Sequence, residues 1–212
     1  MSKTFLFDFD GTLVDSMPTF VGVMLRILDE RNIEYGEDIV KIITPLGYKG
    51  TAEYYRTLGV KESADELIGI MNRYAKFEYE NNIPAKEGVI DTLRQMKARG
   101  DDLNVLTASP HIALDPCLKR LGVWELFTNV WSCDDFKTTK ANPEIYKMAA
   151  ERIGVPVEQV VFVDDNINAV KTAKQAGMVS VGIYDESSAD YVEEFRAAAD
   201  GYVMDFAELI AE

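Results

Sequence analysis

Five apolar runs, at residues 4–7, 103–106, 130–132, 160–163 and 179–183, constrain the fold of this 212-residue chain more than any other feature. Each is short and drawn largely from Val, Leu, Ile and Phe, as parallel strands covered on both faces require. A weaker sixth run lies at 202–204. Helical patterns fall between them. Val89, Leu93 and Met96 precede a stop at Gly100; Ile145, Met148, Ala149 and Ile153 precede Gly154 and Pro156; Val170, Ala173 and Ala176 precede Gly177. Strand alternating with helix implies an α/β fold, a doubly wound parallel sheet.

One stretch breaks the alternation. From residue 16 to 85 only helical periodicity is visible: Phe20, Met24, Leu25 and Leu28 share one face, Leu67, Met71 and Tyr74 another. A helical block inserted after the first strand is therefore expected. Residues 1–15 and 86–212 would form the α/β core domain and residues 16–85 the insertion, with hinges near 15–17 and 84–88.

Charge narrows the partners. There are 36 acids against 22 bases, a formal charge of −14, which argues against a nucleic-acid grip. No apolar run approaches the roughly 20 residues of a membrane span. The start, MSKTFLFDFDG, puts acids inside its first apolar stretch, unlike a secretory signal. Cys117 and Cys133 make neither a CxxC pair nor a zinc set. A cytoplasmic monomer or homodimer acting on a small molecule is expected. The excess charge sits mostly at the end, where residues 185–212 carry nine acids and one base, a pattern that suits a solvated helix face. An anionic substrate would then need a local cation.

In a doubly wound sheet, functional groups gather beyond the carboxyl ends of the strands. After the first run come Asp8 and Asp10, then Gly11 and Thr12; after the second, Thr107 and Ser109; between the third and fourth, Lys137 and Lys140; after the fourth, Asp164 and Asp165. Four clustered carboxylates repel one another unless a cation lies among them. Hard oxygen ligands with room for water and phosphate suit Mg²⁺. An Asp beside such an ion is placed to attack phosphorus, and a second Asp two residues on, pointing the same way along an extended strand, to shuttle a proton to the leaving oxygen. A Lys and a hydroxyl would balance charge on the phosphoryl oxygens. Taken singly, each feature has a plainer reading: a DxD can make a turn, an Asp-Asp pair can cap a helix, Thr107 can cap and Lys140 can be solvated. Their joint occurrence in strand order favours chemistry.

These residues fall in motifs. DFDGTLVDS (8–16) closely resembles the first motif of the haloacid dehalogenase superfamily of hydrolases, in the subfamily with an inserted helical cap. LTASP (106–110), KANPEIY (140–146) and FVDDNINAV (162–170) resemble its second, third and fourth motifs. The resemblance implies a Mg²⁺-dependent phosphoric monoester hydrolase with Asp8 as nucleophile, forming an aspartyl-phosphate. It also implies Asp10 as general acid and base, whose main-chain carbonyl helps hold the metal, and Thr107 and Lys140 as phosphoryl ligands. Asp165 would be a metal ligand, and Asp164 would touch the ion or its waters. Lys137 competes with Lys140 but lacks the Pro three residues on. Gly11, Thr12 and Ser109 are expected to bind substrate.

Members that dehalogenate lack the second Asp of the first motif; Asp10 therefore favours phosphoryl transfer. Sugar phosphomutases of the β-phosphoglucomutase type usually carry a cap His ten residues after that Asp, where this chain has Phe20. That favours a phosphatase for a phosphoglycolate-like acid or sugar phosphate, with the mutase as alternative. PLGYKGTAEYY (45–55) resembles a cap loop of phosphoglycolate-phosphatase-like relatives, in which Lys49 would meet a second anionic group. Two other classes fit less well. A phospho-receiver domain orders its acids differently and has no such insertion, and a non-catalytic binding relative would not keep every catalytic position. His111, the one histidine, is expected at a helix start on the surface, and the aromatics Trp124, Phe127 and Trp131 in packing.

Overall fold

A computed structural model describes residues 2–210. In chain order the elements are β1 (Thr4–Phe7), α1 (Met17–Glu30), α2 (Ile39–Ile43), α3 (Gly47–Thr57), α4 (Ala64–Asn81) and α5 (Val89–Arg99). They continue with β2 (Asp102–Thr107), α6 (His111–Arg120), β3 (Asn129–Ser132), α7 (Glu144–Ile153), β4 (Val160–Asp164) and α8 (Ile167–Ala176), and end with β5 (Val179–Ile183), α9 (Val192–Ala198) and β6 (Gly201–Val203). The chain divides into two compact units, one made of residues up to Asp15 and from Pro84 onward, the other of Ser16–Ile83.

The first unit is an α/β sheet of six strands, all parallel, in the order β3-β2-β1-β4-β5-β6. Each expected apolar run is a strand here. β1 lies between β2 and β4, with Leu6 opposite Asn104 on one side and Phe162 on the other. From β1 the strand order runs one way through β2 and β3 and the other way through β4, β5 and β6. Their carboxyl ends at β1 thus mark a topological switch point, where such sheets leave a crevice. Leu6, Leu106, Val160 and Phe162 are buried with Ile145, Tyr146 and Ala149 of α7 and Ala173 of α8. The Tyr146 and Phe162 rings meet edge to face at 4.9 Å. α7 stops where Gly154 takes a left-handed φ of 88°, open to a residue without Cβ. In the acidic final segment Asp200 is exposed, accepts the Ser180 backbone N–H at 2.9 Å and pairs with Lys174.

The second unit is helical, α1 to α4. Met24, Ile27 and Leu28 of α1 are buried with Ile43, Tyr55, Leu67 and Met71. α4 starts in a reciprocal cap, Ser63 Oγ accepting from Glu66 N and Glu66 Oε2 from Ser63 N. The segment 45–55 is not the expected loop: a 3-10 helix, Thr44–Leu46, runs into α3. Burial decides the outcome. Ala52 and Tyr55 enter the helical core, and Thr51 Oγ1 lies 3.2 Å from the Ile43 carbonyl and 3.3 Å from Met24 Sδ. Lys49 stands exposed on α3.

Tyr55 is fully buried and its hydroxyl has no hydrogen-bond partner among the described residues. A buried hydroxyl without a partner costs about 1–3 kcal/mol. Tyr55→Phe is therefore expected to raise the melting temperature, by about 2–4 °C per kcal/mol in a chain of this size; a fall would show that the hydroxyl is satisfied. Among the described residues no helix is long and apolar enough to cross a membrane.

Candidate active site

β1 ends at Phe7, and the Asp8 N–H still reaches the Val163 carbonyl at 2.9 Å, which holds Asp8 against the end of β4. Phe9 is fully buried; Asp8 and Asp10 flank it beyond the strand rather than within it. Backbone bonds then turn the chain: Leu13 N and Val14 N donate to the Phe9 carbonyl and Gly11 N to that of Val14. Asp164 closes β4, and the cap of α8 is Asn166, whose Oδ1 accepts from Asn168 N at 3.0 Å and Ala169 N at 3.2 Å. Neither member of the Asp-Asp pair caps that helix.

Asp8, Asp164 and Asp165 each present a carboxylate oxygen within 4.8 Å of the others, and all three are buried. Lys140 pairs with Asp8 Oδ1 and, at 2.8 Å, with Asp164 Oδ2. The Tyr146 hydroxyl donates toward the Lys140 carbonyl, 3.0 Å away, tying α7 to the segment that carries this lysine. Lys137 is exposed at the end of a 3-10 helix, so the geometry brings Lys140 to the carboxylates. Thr12 Oγ1 donates to Asp165 Oδ1 at 2.9 Å and the Asp165 N–H lies 3.2 Å from the same hydroxyl. Gly11, at φ 75°, lies so close that a Cβ there would stand 2.4 Å from Asp165 Oδ2.

On the β2 side, Thr107 is buried at the strand end and its Oγ1 accepts from Ser109 N at 3.0 Å. Ser109 Oγ donates to Asp10 Oδ2 at 2.5 Å, so Ser109 orients Asp10 within the site. Lys49 belongs to the helical unit and is the one expected site residue outside the sheet unit.

Three carboxylates against one ammonium leave the pocket short of positive charge. Burial, then repulsion from Asp8, pushes Asp164 up to about 7 although Lys140 opposes it. Burial, then Asp164 and Asp8, lifts Asp165 well above the usual carboxylate range. Burial alone would lower Lys140, but Asp164 and Asp8 hold it above an ordinary lysine. Buried, mutually repelling oxygen donors are the donor set a hard divalent cation satisfies, and the residues present fit one.

A pH dependence follows for metal-free protein. The folded Asp164 binds its proton more tightly than the unfolded one, whose pKa is about 3.9. Its stabilising contribution is complete below about pH 4 and disappears as pH rises through about 7. In a chelator the melting temperature is expected to be at least about 2 °C lower at pH 8 than at pH 6, the shift that 1 kcal/mol produces, and a divalent cation at pH 8 should restore it. An unchanged melting temperature in calorimetry would show that the acids do not strain the fold.

Sequence reasoning did not single out two features. Lys86, in the returning segment, donates to the Gly11 carbonyl at 2.7 Å; a lone Lys in a linker gives no local signal. His111 opens α6 as expected, but Nδ1 lies 2.7 Å from Asp115 and Nε2 2.8 Å from Asp135. Burial pulls its pKa down and the two carboxylates more than reverse this. An acid at i+4 was the visible hint.

The fold and this cluster define a class of hydrolase, and comparison with known proteins agrees. The profile of the haloacid dehalogenase-like hydrolases matches residues 2–177, and the chain belongs to that family. Pyrophosphatase PpaX of Bacillus velezensis is 28% identical over 84% of this chain and 81% of its own. The phosphoglycolate phosphatase of Escherichia coli K12 is 30% identical over 84% and 79%. A crystal structure from Thermotoga maritima, of a protein assigned as a beta-phosphoglucomutase, superposes with a TM-score of 0.84 at 25% identity, covering 95% of this chain and 94% of that one.

Proposed function

We propose that this protein is a Mg²⁺-dependent phosphatase that hydrolyses a small phosphorylated metabolite through an aspartyl-phosphate on Asp8. The observation that carries the reading is the buried triad Asp8, Asp164 and Asp165 with Lys140 on two of its members, at the switch point of the sheet. Mg²⁺ suits these donors, with Asp8, Asp164, Asp165 and the Asp10 main-chain carbonyl holding it; when bound it neutralises the acids and polarises a phosphoryl oxygen.

The remaining steps belong to the chain's own residues. An Asp8 oxygen attacks phosphorus, the ester P–O bond breaks, and Asp10 gives its proton to the departing oxygen. Water then attacks phosphorus, Asp10 takes back a proton, and the Asp8–phosphorus bond breaks to free phosphate. Ser109, donating to Asp10 Oδ2, keeps that carboxyl turned for both transfers. Lys140 and Thr107 balance charge spreading onto the phosphoryl oxygens, and Gly11, Thr12 and Ser109 line the substrate's path. Names of relatives support phosphoglycolate-like acids or pyrophosphate as the substrate class, and that of the Thermotoga neighbour supports sugar phosphates.

A second reading, a sugar phosphomutase, draws support from the Thermotoga neighbour. Against it, Phe20 occupies the position of the mutases' cap histidine and stacks on Tyr48 at 4.9 Å. Phosphate release from p-nitrophenyl phosphate and from a panel of sugar and acid monophosphates tests both. Mg²⁺-dependent release that chelator abolishes is expected; isomer formation without release would favour the mutase, and no turnover with any ester would defeat both. Lys49→Ala is expected to cost substrates with a second anionic group about tenfold in kcat/KM relative to p-nitrophenyl phosphate, which has none, as loss of one charged contact does. An unchanged ranking would remove Lys49 from the site.

A further inference from the structure

Lys86 uses all three of its ammonium protons inside the sheet unit. They reach the Gly11 carbonyl at 2.7 Å, the Tyr184 carbonyl at 2.7 Å and Asp185 Oδ2 at 2.9 Å. These acceptors come from the turn after β1 and the segment leaving β5. The pair is well sheltered, with side-chain exposures of 19% for Lys86 and 7% for Asp185. Ser187 N also donates to Asp185 Oδ1 at 3.0 Å, so the partner carboxylate is itself held. Immobilising a lysine and drawing it from water is unfavourable, and these three bonds and the ion pair offset the cost only in this one geometry. The backbone of Lys86 is fixed as well, its N–H donating to the Leu13 carbonyl at 3.0 Å beside a Val14–Ala85 bridge.

What Lys86 holds is the turn that seats Asp165. Gly11 is in contact with that carboxylate, and the next residue, Thr12, bonds both its Oδ1 and its N–H. A shift of the Gly11 carbonyl therefore displaces one member of the acid triad relative to the other two, which are fixed by Lys140. We infer that Lys86 is a positioning residue of the acid site: by fastening the Gly11–Thr12 turn to the end of β5, it sets the affinity of the site for a divalent cation rather than the rate of the chemical step. The inference rests on the proposed metal site.

The test is Mn²⁺ binding to the purified protein without substrate, by calorimetry, for wild type, Lys86→Met, Lys86→Arg and Asp185→Asn. Outer-shell losses weaken metal binding by about 10–100-fold. Lys86→Met is expected near the low end, about tenfold weaker, with Lys86→Arg recovering part of the loss and Asp185→Asn showing a smaller loss. In turnover, the half-saturating Mg²⁺ concentration should rise while kcat at saturating metal stays within about threefold. Asp185→Asn keeps both carbonyl contacts and serves if Lys86→Met does not fold. Unchanged Mn²⁺ affinity in every variant, a fall in kcat without a change in affinity, or no Mn²⁺ binding by wild type would each overturn the inference. Wild-type Mn²⁺ binding that Lys86→Met weakens, with no phosphate release from any ester, would uphold it while removing the phosphatase reading.

Discussion

Asp8→Asn is expected to lower phosphate release by about 10⁴-fold or more, the scale on which loss of a covalent nucleophile acts, while making the metal-free protein more stable. The two effects share one cause. Asp8 is buried beside Asp164 and Asp165 and repels both. An amide removes that charge and keeps the shape, and Lys140 retains Asp164 as its partner. The side chain thus destabilises the pocket by the same negative charge that the proposed nucleophile would use. Initial rates with a phosphate ester and melting curves in chelator check the pair. A variant that is inactive and also less stable would point to a structural role for Asp8, and one that retains activity would remove it from catalysis.

Gly11→Ala should also be damaging, by a different route. Its φ of 75° strains any residue with a Cβ, and the added methyl would stand 2.4 Å from Asp165 Oδ2 and 2.6 Å from its Cγ. Either the turn or the carboxylate must move. The backbone strain alone is worth about 1–3 kcal/mol of stability, and misplacing a ligand by about 1 Å can cost 10²-fold in rate. A loss of about 10²-fold in kcat/KM is therefore expected, with a lower melting temperature. Gly59, at φ 96°, has open space within 4 Å of the point where a Cβ would stand, so Gly59→Ala provides the control, losing stability but not activity. Equal activity losses at both positions would show that contact with Asp165 is not the cause.

Much of the sheet was legible because its strands are short, apolar and bounded by glycines. Leu6, Leu106 and Phe162 are buried for the reason their runs are conspicuous. The edge where Asp8, Thr107 and Asp164 meet follows from their places at strand ends, since a parallel sheet aligns those ends. Two kinds of feature were not visible. The 45–55 segment carries glycines, yet Ala52 and Tyr55 pack into the helical core and keep it helical; such packing involves residues distant in sequence and leaves no local mark. The Lys86 contacts join residues 75 to 99 positions apart, so neither periodicity nor motif could announce them. Conversely, the competing capping role of Asp164 and Asp165 disappears only once Asn166 is seen to cap α8.

Covalent catalysis at Asp8 is tested most directly by quenching the protein during turnover of a phosphate ester, reducing it with borohydride and mapping the peptides by mass spectrometry. An acyl phosphate is reduced to an alcohol, so homoserine at position 8, absent without substrate and absent in Asp8→Asn, is the expected result. Homoserine at another aspartate, or an intact Asp8 throughout rapid turnover, would contradict it.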